Sequence, residues 1–204
     1  MHRKVLDATK GLKGFDPIKI ARRMTLPMSG QTLIFDDETA QNAFFDFWFN
    51  EYTVDGTSLA QSVDPATAGL TELELQTLEA HRRSRTSLFQ IEEVFPLNHQ
   101  IRMRDLLAQE QPEIFLTDFG LSESLTPEGL KAALFCRLLT VGEVVMSSGV
   151  FFVFPKPFLP AVLRSYGEEM KFVSSADLPQ KRFIFFFKRY NLTGVEQQYR
   201  DVRY

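Results

Sequence analysis

Apolar residues recur along this chain at two spacings, and the switch between them divides it. Up to about residue 86 the spacing is three or four, as on a helix face. From 87 to 154 it is mostly two, as on a strand, and beyond 155 it is helical again. Asp16 can cap and Pro17 suits a first turn, so IKIARRM is expected as a short basic helix. Residues 24–30, with Pro27 and Gly30, read as a connector. Asp36 or Asp37 caps a helix over ETAQNAFFDFWFNEY, with Ala40, Ala43, Phe44, Phe47 and Trp48 on one face and Phe45 and Phe49 on another. A helix apolar nearly all round is expected to be central and buried. Trp48→Ala is therefore expected to cost about 3–5 kcal/mol. Val54-Asp55-Gly56-Thr57 is a turn, and SLAQSV follows as one or two helical turns. Thr71 and Glu74 form a capping box for a helix reaching about Arg85. Leu75 and Leu78 face inward there, and His81, Arg82, Arg83 and Arg85 suit the helix dipole in its last turn.

The period-2 region begins with SLFQIEEVF, which puts Phe89, Ile91 and Phe95 on one face and Gln90 and Glu92 on the other. A turn at 96–99 leads to QIRMRDLL, with Ile101 and Met103 inward and Arg102 and Arg104 outward. EIFLTDF, KAALFCRLLTV, EVVMSSG and VFFVFP complete six expected short strands, with LTPEGL as a corner between the third and fourth. Short strands joined by turns predict a small antiparallel β-barrel or a strongly bent sheet. Pro160 opens a helix over AVLRSYGEEM, and Asp177 with Pro179 opens QKRFIFFFKRYN. FIFFF alone would also suit a buried strand, so 181–190 reads both ways, with the Asp-x-Pro start favouring a helix. Gly194 is expected to end this element. The fold class predicted is α+β in one domain, residues 1–204: 1–86 mainly helical, 87–154 barrel-like, 155–194 helical and 195–204 a loose tail.

Composition narrows the classes available. The chain is 204 residues long, 44% hydrophobic and 24% charged, with a net charge of −3. These values exclude a disordered chain, and the length suffices for a core without metal or disulfide support. The single Cys excludes a disulfide framework or a Cys-based zinc cluster, and Cys136 in LFCRLL reads as a small buried hydrophobe. No signal-peptide pattern follows the basic N-terminus, and 150–155 and 183–187 are far shorter than the roughly 18 residues that span a bilayer. A cytoplasmic protein without a membrane span is expected. The twenty Phe predict a Phe-packed core, with some available for an exposed partner surface.

Charge is unevenly spread. Residues 1–23 hold seven Lys/Arg against two Asp/Glu, and residues 180–204 hold six against two, so 24–179 carries net −12. An acidic body has two basic ends. Such ends can dock on nucleic acid or fold back on the body, and the second is favoured because neither end has a run of five basic residues. No cofactor, metal or catalytic residue is expected. Gly11 and Gly14 match neither phosphate-loop pattern, no G-x-S-x-G occurs, and His2, His81 and His99 are each isolated. Asp36-Asp37 is explained by capping, and Glu92 and Glu93, adjacent on a strand, are expected on opposite faces. The positions with contact chemistry are Arg22, Arg23, Arg102, Arg104, Lys181, Arg182, Lys188 and Arg189. Arg102 and Arg104, with Arg137 on a nearby strand, could meet phosphate or carboxylate, or pair across strands with Glu92.

Several short motifs follow one another in a familiar order: Trp48 in FDFWF, Asp55-Gly56, the helix at 73–79, Ser87-Leu88-Phe89-Gln90-Ile91, Arg104-Asp105-Leu106-Leu107, and Arg137-Leu138 on to Gly142. Over residues 44–154 the chain resembles the middle region of some bacterial proteins that carry a C-terminal SEC-C zinc motif. It lacks their Cys-rich tail, so neither zinc binding nor a SecA-type partner is implied. The resemblance implies a bacterial cytoplasmic protein and no particular activity.

The function expected is a non-catalytic binding or regulatory module acting on a protein partner. The alternatives are a nucleic-acid-binding protein using its basic ends with Arg102 and Arg104, and an enzyme whose site is assembled from residues distant in sequence.

Overall fold

The structure, a computed structural model, describes residues 4–5, 12–108, 113–125 and 132–193. Residues 126–130 of the expected corner LTPEGL, the helix end at Gly194 and the 195–204 tail lie outside the described residues. Local chemistry sets the helix starts. Helix α1 (Pro17–Met24) begins where the Ile18 N–H donates to Asp16 Oδ1 at 2.8 Å. The connector after it holds a small ladder, β1 (Met28–Ser29) with β2 (Thr32–Leu33). Helix α2 (Glu38–Asp46) starts at Asp37, whose Oδ1 accepts from the Ala40 N–H at 2.6 Å. It continues into a π-helical turn, Phe47–Glu51, in which the Tyr52 N–H donates to the Phe47 carbonyl at 2.8 Å. Strands β3 (Thr53–Val54) and β4 (Thr57–Ser58) then pair through Asp55 and Gly56, with φ of 52° and 80°. Two successive left-handed residues make the hairpin turn that Asp-Gly favours.

Helices α3 (Leu59–Ser62) and α4 (Pro65–Ala68) lead to α5 (Glu72–Arg83), which carries the Thr71/Glu74 capping box. Helix α5 ends at Arg83 rather than near Arg85, because Arg85 already begins a strand. The main sheet is built from β5 (Arg85–Phe95), β6 (Gln100–Asp105), β7 (Ile114–Thr117), β8 (Ala132–Val141) and β9 (Val144–Pro155), in the order β7-β6-β5-β8-β9 and antiparallel throughout. Helix α6 (Phe119–Ser124) follows β7, and α7 (Leu159–Met170) and α8 (Leu178–Thr193) follow β9.

The α+β class stands, with five main strands in place of six. EVVMSSG and VFFVFP belong to one strand, β9, which bends at a register shift instead of breaking. The sheet curls until Cα atoms of edge strands β7 and β9 lie within 8 Å, yet no ladder joins them, so the barrel is not closed. The curl gives the sheet an interior of its own. Phe89, Ile91, Ile101, Met103, Leu116 and Leu134 are buried there, as the alternation predicts for the first four. The opposite face, at β8 and β9, packs on α2, α7 and α8 through the main core.

That core is built from phenylalanine. Phe135 and Phe152 stack at 5.7 Å between centroids, and Phe186 of α8 stacks on Phe135 at 4.4 Å. Residues 181–190 are helical: α8 buries Phe183, Phe185, Phe186 and Phe187 on one broad face, while Lys181, Lys188 and Asn191 stay exposed on the other. No described helix is long and apolar enough to cross a membrane.

Candidate functional site

Strand β8 is buried on both faces, and Arg137 is the one charged residue in its apolar run. A guanidinium there must be paired. Arg137 Nε donates to Asp46 Oδ1 at 2.9 Å, Nη2 to Glu51 Oε1 at 2.6 Å, and Nη1 to Ser84 Oγ at 2.9 Å. Thr86 Oγ1 donates to the same Glu51 oxygen at 3.0 Å. The side chains of Arg137, Asp46 and Glu51 are only 3%, 4% and 5% exposed. Burial alone would lower the Arg137 pKa. The charges of Asp46 and Glu51, and their hydrogen bonds, outweigh burial and hold it above the usual arginine range.

Two departures from regular backbone create this cluster. Asp46 and Glu51 stand five residues apart, which on an α-helix leaves them about 140° apart around the axis. The wider π turn between them closes that angle, so both reach one guanidinium. Across the sheet, Cys136 pairs with Phe151 and Leu138 with Ser147, so Ser148, Gly149 and Val150 bulge opposite Arg137 alone. Gly149 sits at φ 86°, a conformation that disfavours any side chain.

A cavity of about 360 Å³ opens where the π turn meets the bulge. Phe45, Trp48, Phe49, Leu59 and Val150 supply its apolar wall, and Asn42, Asp46, Asn50, His81 and Ser148 its polar groups. His81, on α5, is buried, with Nδ1 3.0 Å from Asn50 Oδ1 and its ring edge-on to Phe49 at 5.1 Å. Asn50 Nδ2 donates to the Asp46 carbonyl at 3.1 Å, so both ends of that amide are used. Trp48 Nε1 and Ser148 Oγ are buried atoms without a hydrogen-bond partner among the described residues. The α2 region is therefore less enclosed than its pattern predicts. Trp48 is half-buried and Phe45 is 41% exposed, because this side of the helix faces a cavity. The cost of Trp48→Ala falls accordingly below that of a full core truncation.

The eight basic positions divide into three settings. Arg102 lies 3.1 Å from Glu93 and 3.4 Å from Glu113, and within 3.8 Å of Glu92, while Arg104 lies 3.2 Å from Glu92. Glu92 and Glu93 were expected on opposite faces, yet both reach Arg102, because a register shift between Ile91 and Glu93 breaks the alternation. Arg137 does not join Arg102 and Arg104, since its guanidinium is held by Asp46 and Glu51. Arg182 and Arg189 serve the fold. Arg182 donates to Tyr166 Oη and the Thr86 carbonyl, and Arg189 donates to Ser165 and pairs with Glu169 at 3.0 Å. Arg22 is exposed, and Arg23, Lys181 and Lys188 line one groove with Glu169 and Asp177, so described parts of the two basic ends meet there.

Cys136 is buried, and burial first, then the charge of Asp46, pushes its thiol above the usual range. Among the described residues no group of three or more His, Cys, Asp or Glu could hold a metal ion. Asp46, Asn50, Glu51, Ser148 and Gly149 carried no signal of a site in the sequence, and His81 there suited only the last turn of its helix. A charge inside the apolar run LFCRLL was the signal available, since it demands buried partners of opposite sign.

Residues 1–200 match the model of a family described as a family of unknown function, DUF7986. The chain belongs to that family. Neither a curated protein nor a solved structure matches it.

Proposed function

We propose that this chain is a non-catalytic binding or regulatory module that takes up a ligand in the Trp48 pocket and acts on a protein partner. The observation that carries the reading is the meeting of a π turn and a three-residue bulge at one mostly apolar cavity. Both kinds of irregularity recur at functional sites. The cavity volume of about 360 Å³ falls within the usual span for small-molecule sites, roughly 300–1,000 Å³. The partner half of the reading draws on apolar side chains left outside, among them Leu97 at 97% exposure, with Phe115 and Phe119. The resemblance to SEC-C-motif proteins adds a bacterial cytoplasmic setting.

The catalytic alternative would use the same pocket, which does assemble residues distant in sequence. An activated nucleophile needs a base within hydrogen-bond reach. Ser148 Oγ has no partner among the described residues, His81 Nδ1 is engaged by Asn50, and the Asp46 and Glu51 carboxylates are held by Arg137. The binding reading needs no such pair. Native mass spectrometry of the chain purified from its own cells tests it. The expected result is a small-molecule mass increment that Asn42→Phe, which narrows the cavity, removes. Protein recovered without any increment, and without a partner after gentle cross-linking, overturns it.

The nucleic-acid alternative makes a different forecast. Arg102 and Arg104 are paired with glutamates, and Arg182 and Arg189 are engaged within the fold. Random DNA and RNA are therefore expected to bind only weakly at physiological salt, with Kd above roughly 10⁻⁵ M. Gel shifts at low and physiological salt check this. Tight binding with a log–log salt slope near roughly −5, the value for about six phosphate contacts, would favour the nucleic-acid reading.

A further inference from the structure

We infer that the outer face of the β5–β6–β7 corner docks a basic, apolar segment of a partner protein, in which Lys or Arg are interspersed with Phe or Leu. The inference rests on the partner half of the reading above and gives that partner its chemistry. The register shift in β5 builds the apolar part. Val94 lies opposite Ile101, and Phe95 opposite Gln100. Ile101 is buried in the sheet interior, so Val94 turns inward with it and Phe95 turns outward, the reverse of the alternation counted from Ile91. Bulges re-aim side chains in this way. On edge strand β7, Leu116 lies opposite Ile101 and is buried. That puts Phe115 on the outer face, with its ring centroid 6.2 Å from that of Phe95. The turn after Phe95 carries Leu97, 97% exposed, and leads to His99, whose ring lies 4.3 Å from Phe119 at the start of α6. The Asp118 N–H donates to the His99 carbonyl at 2.9 Å and holds that turn against α6. Phe115 and Phe119 remain 39% and 65% exposed. Large apolar side chains gathered at one end of a sheet and left uncovered mark a protein-interaction surface.

Charge decides the partner. Residues 92–104 and 113–124 frame this face. They hold five carboxylates (Glu92, Glu93, Glu113, Asp118 and Glu123) against two guanidiniums (Arg102 and Arg104), a net of −3 with His99 neutral. Both arginines are already engaged, Arg102 by Glu92, Glu93 and Glu113, and Arg104 by Glu92. Asp118 Oδ1 accepts from the Leu121 N–H as the cap of α6. The Glu113 and Glu123 side chains stay 62% and 68% exposed. Glu113 reaches the same Arg102 that lies opposite Phe115, and Glu123 stands one helical turn after Phe119, on the same face of α6. Each of these two aromatic rings therefore has an exposed carboxylate for a neighbour. A segment of the inferred kind meets both needs, its cations reaching Glu113 and Glu123 while its apolar side chains cover the rings. An acidic segment is repelled, and the same excess charge turns away nucleic acid and anionic lipid.

Four short peptides of one pattern, fluorescently labelled and titrated with the full chain, separate the apolar contribution from the charge: Lys with Phe and Leu, Gln with Phe and Leu, Glu with Phe and Leu, and Lys with Ser. Fluorescence anisotropy reads the binding. At low salt the Lys/Phe/Leu peptide is expected to bind about tenfold more tightly than each of the others, as two exposed ion pairs beside an apolar contact allow. Its margin over the Gln peptide should narrow at physiological salt. The double variant Leu97→Ser with Phe119→Ser should reduce it to the level of the Lys/Ser peptide. Glu113→Gln with Glu123→Gln, which leaves every apolar side chain in place, should bring it down to the Gln peptide. If the Gln or Glu peptide binds as tightly as the Lys/Phe/Leu peptide and is lost in the Leu97/Phe119 variant, the inferred basic class is overturned while the face stands as a partner surface. If the Lys/Ser peptide binds as tightly, or the Leu97/Phe119 variant binds undiminished, this face is not the docking site and the inference falls. If none of the four binds, both the inference and the partner half of the reading are overturned.

Discussion

Arg137→Ala should remove about 3–5 kcal/mol of stability, the cost of leaving buried charges without their partner. The side chain is 3% exposed, and it is the counter-charge for both Asp46 and Glu51. Without it, two carboxylates face each other inside the protein with the Thr86 hydroxyl, which donates to Glu51, as the neighbouring donor. The loss is a large share of the roughly 5–15 kcal/mol that holds a domain folded. Urea melts should show the midpoint falling by roughly 2 M with an unchanged slope. The loss belongs to the uncompensated charge and not to the missing volume, so a second variant separates the two. Replacing the whole cluster, Asp46→Asn with Glu51→Gln and Arg137→Met, should recover most of the stability, because a neutral group of similar size removes the desolvation cost along with the attraction. If the triple variant is as unstable as Arg137→Ala, packing around residue 137 decides the effect and the charge cluster does not.

The parts of this fold that could be read from the sequence are those set by residues close together in it. Asp16, Asp37 and the Thr71/Glu74 pair start their helices as capping chemistry predicts, and Asp55-Gly56 makes its hairpin turn. Alternation correctly turned Ile101 and Met103 inward. The failures that hid the site occur where the backbone leaves the period being counted. A bulge after Ile91 carried Glu92 and Glu93 to the same arginine. A π turn gave Phe45 and Trp48 a cavity instead of a core, and a bulge opposite Arg137 let β9 continue where two strands were expected. Periods of 3.6 and 2 have no symbol for an inserted residue. The candidate site was illegible for that reason, since it lies where two such insertions face each other. FIFFF was ambiguous for a different reason: a helix buried all round and a buried strand share the same apolar run. The Asp177-x-Pro179 start favours the helix, and α8 begins there, with the Lys181 N–H donating to the Asp177 carbonyl at 3.0 Å.

The second large effect is expected at Phe152. It is fully buried on β9 and meets four rings: Phe135 at 5.7 Å, Phe183 at 5.6 Å, Phe187 at 5.8 Å and Tyr190 at 5.2 Å. Three of those rings belong to α8, so this side chain joins the sheet to the helix that covers it. Phe152→Ala removes a whole ring from a site whose neighbours are themselves rigid rings on a strand and a helix. They can close little of the gap, which puts the loss at about 3–5 kcal/mol, with the cavity adding to the transfer cost. For a chain of this size that corresponds to a fall in Tm of roughly 6–20 °C. Phe172 supplies the contrast within the same residue type. It is 90% exposed, just after α7, so Phe172→Ala should change stability by no more than about 0.5 kcal/mol. Thermal melts of the two variants side by side check both figures. Similar small losses in both would mean that α8 is not held to the sheet by its phenylalanine face.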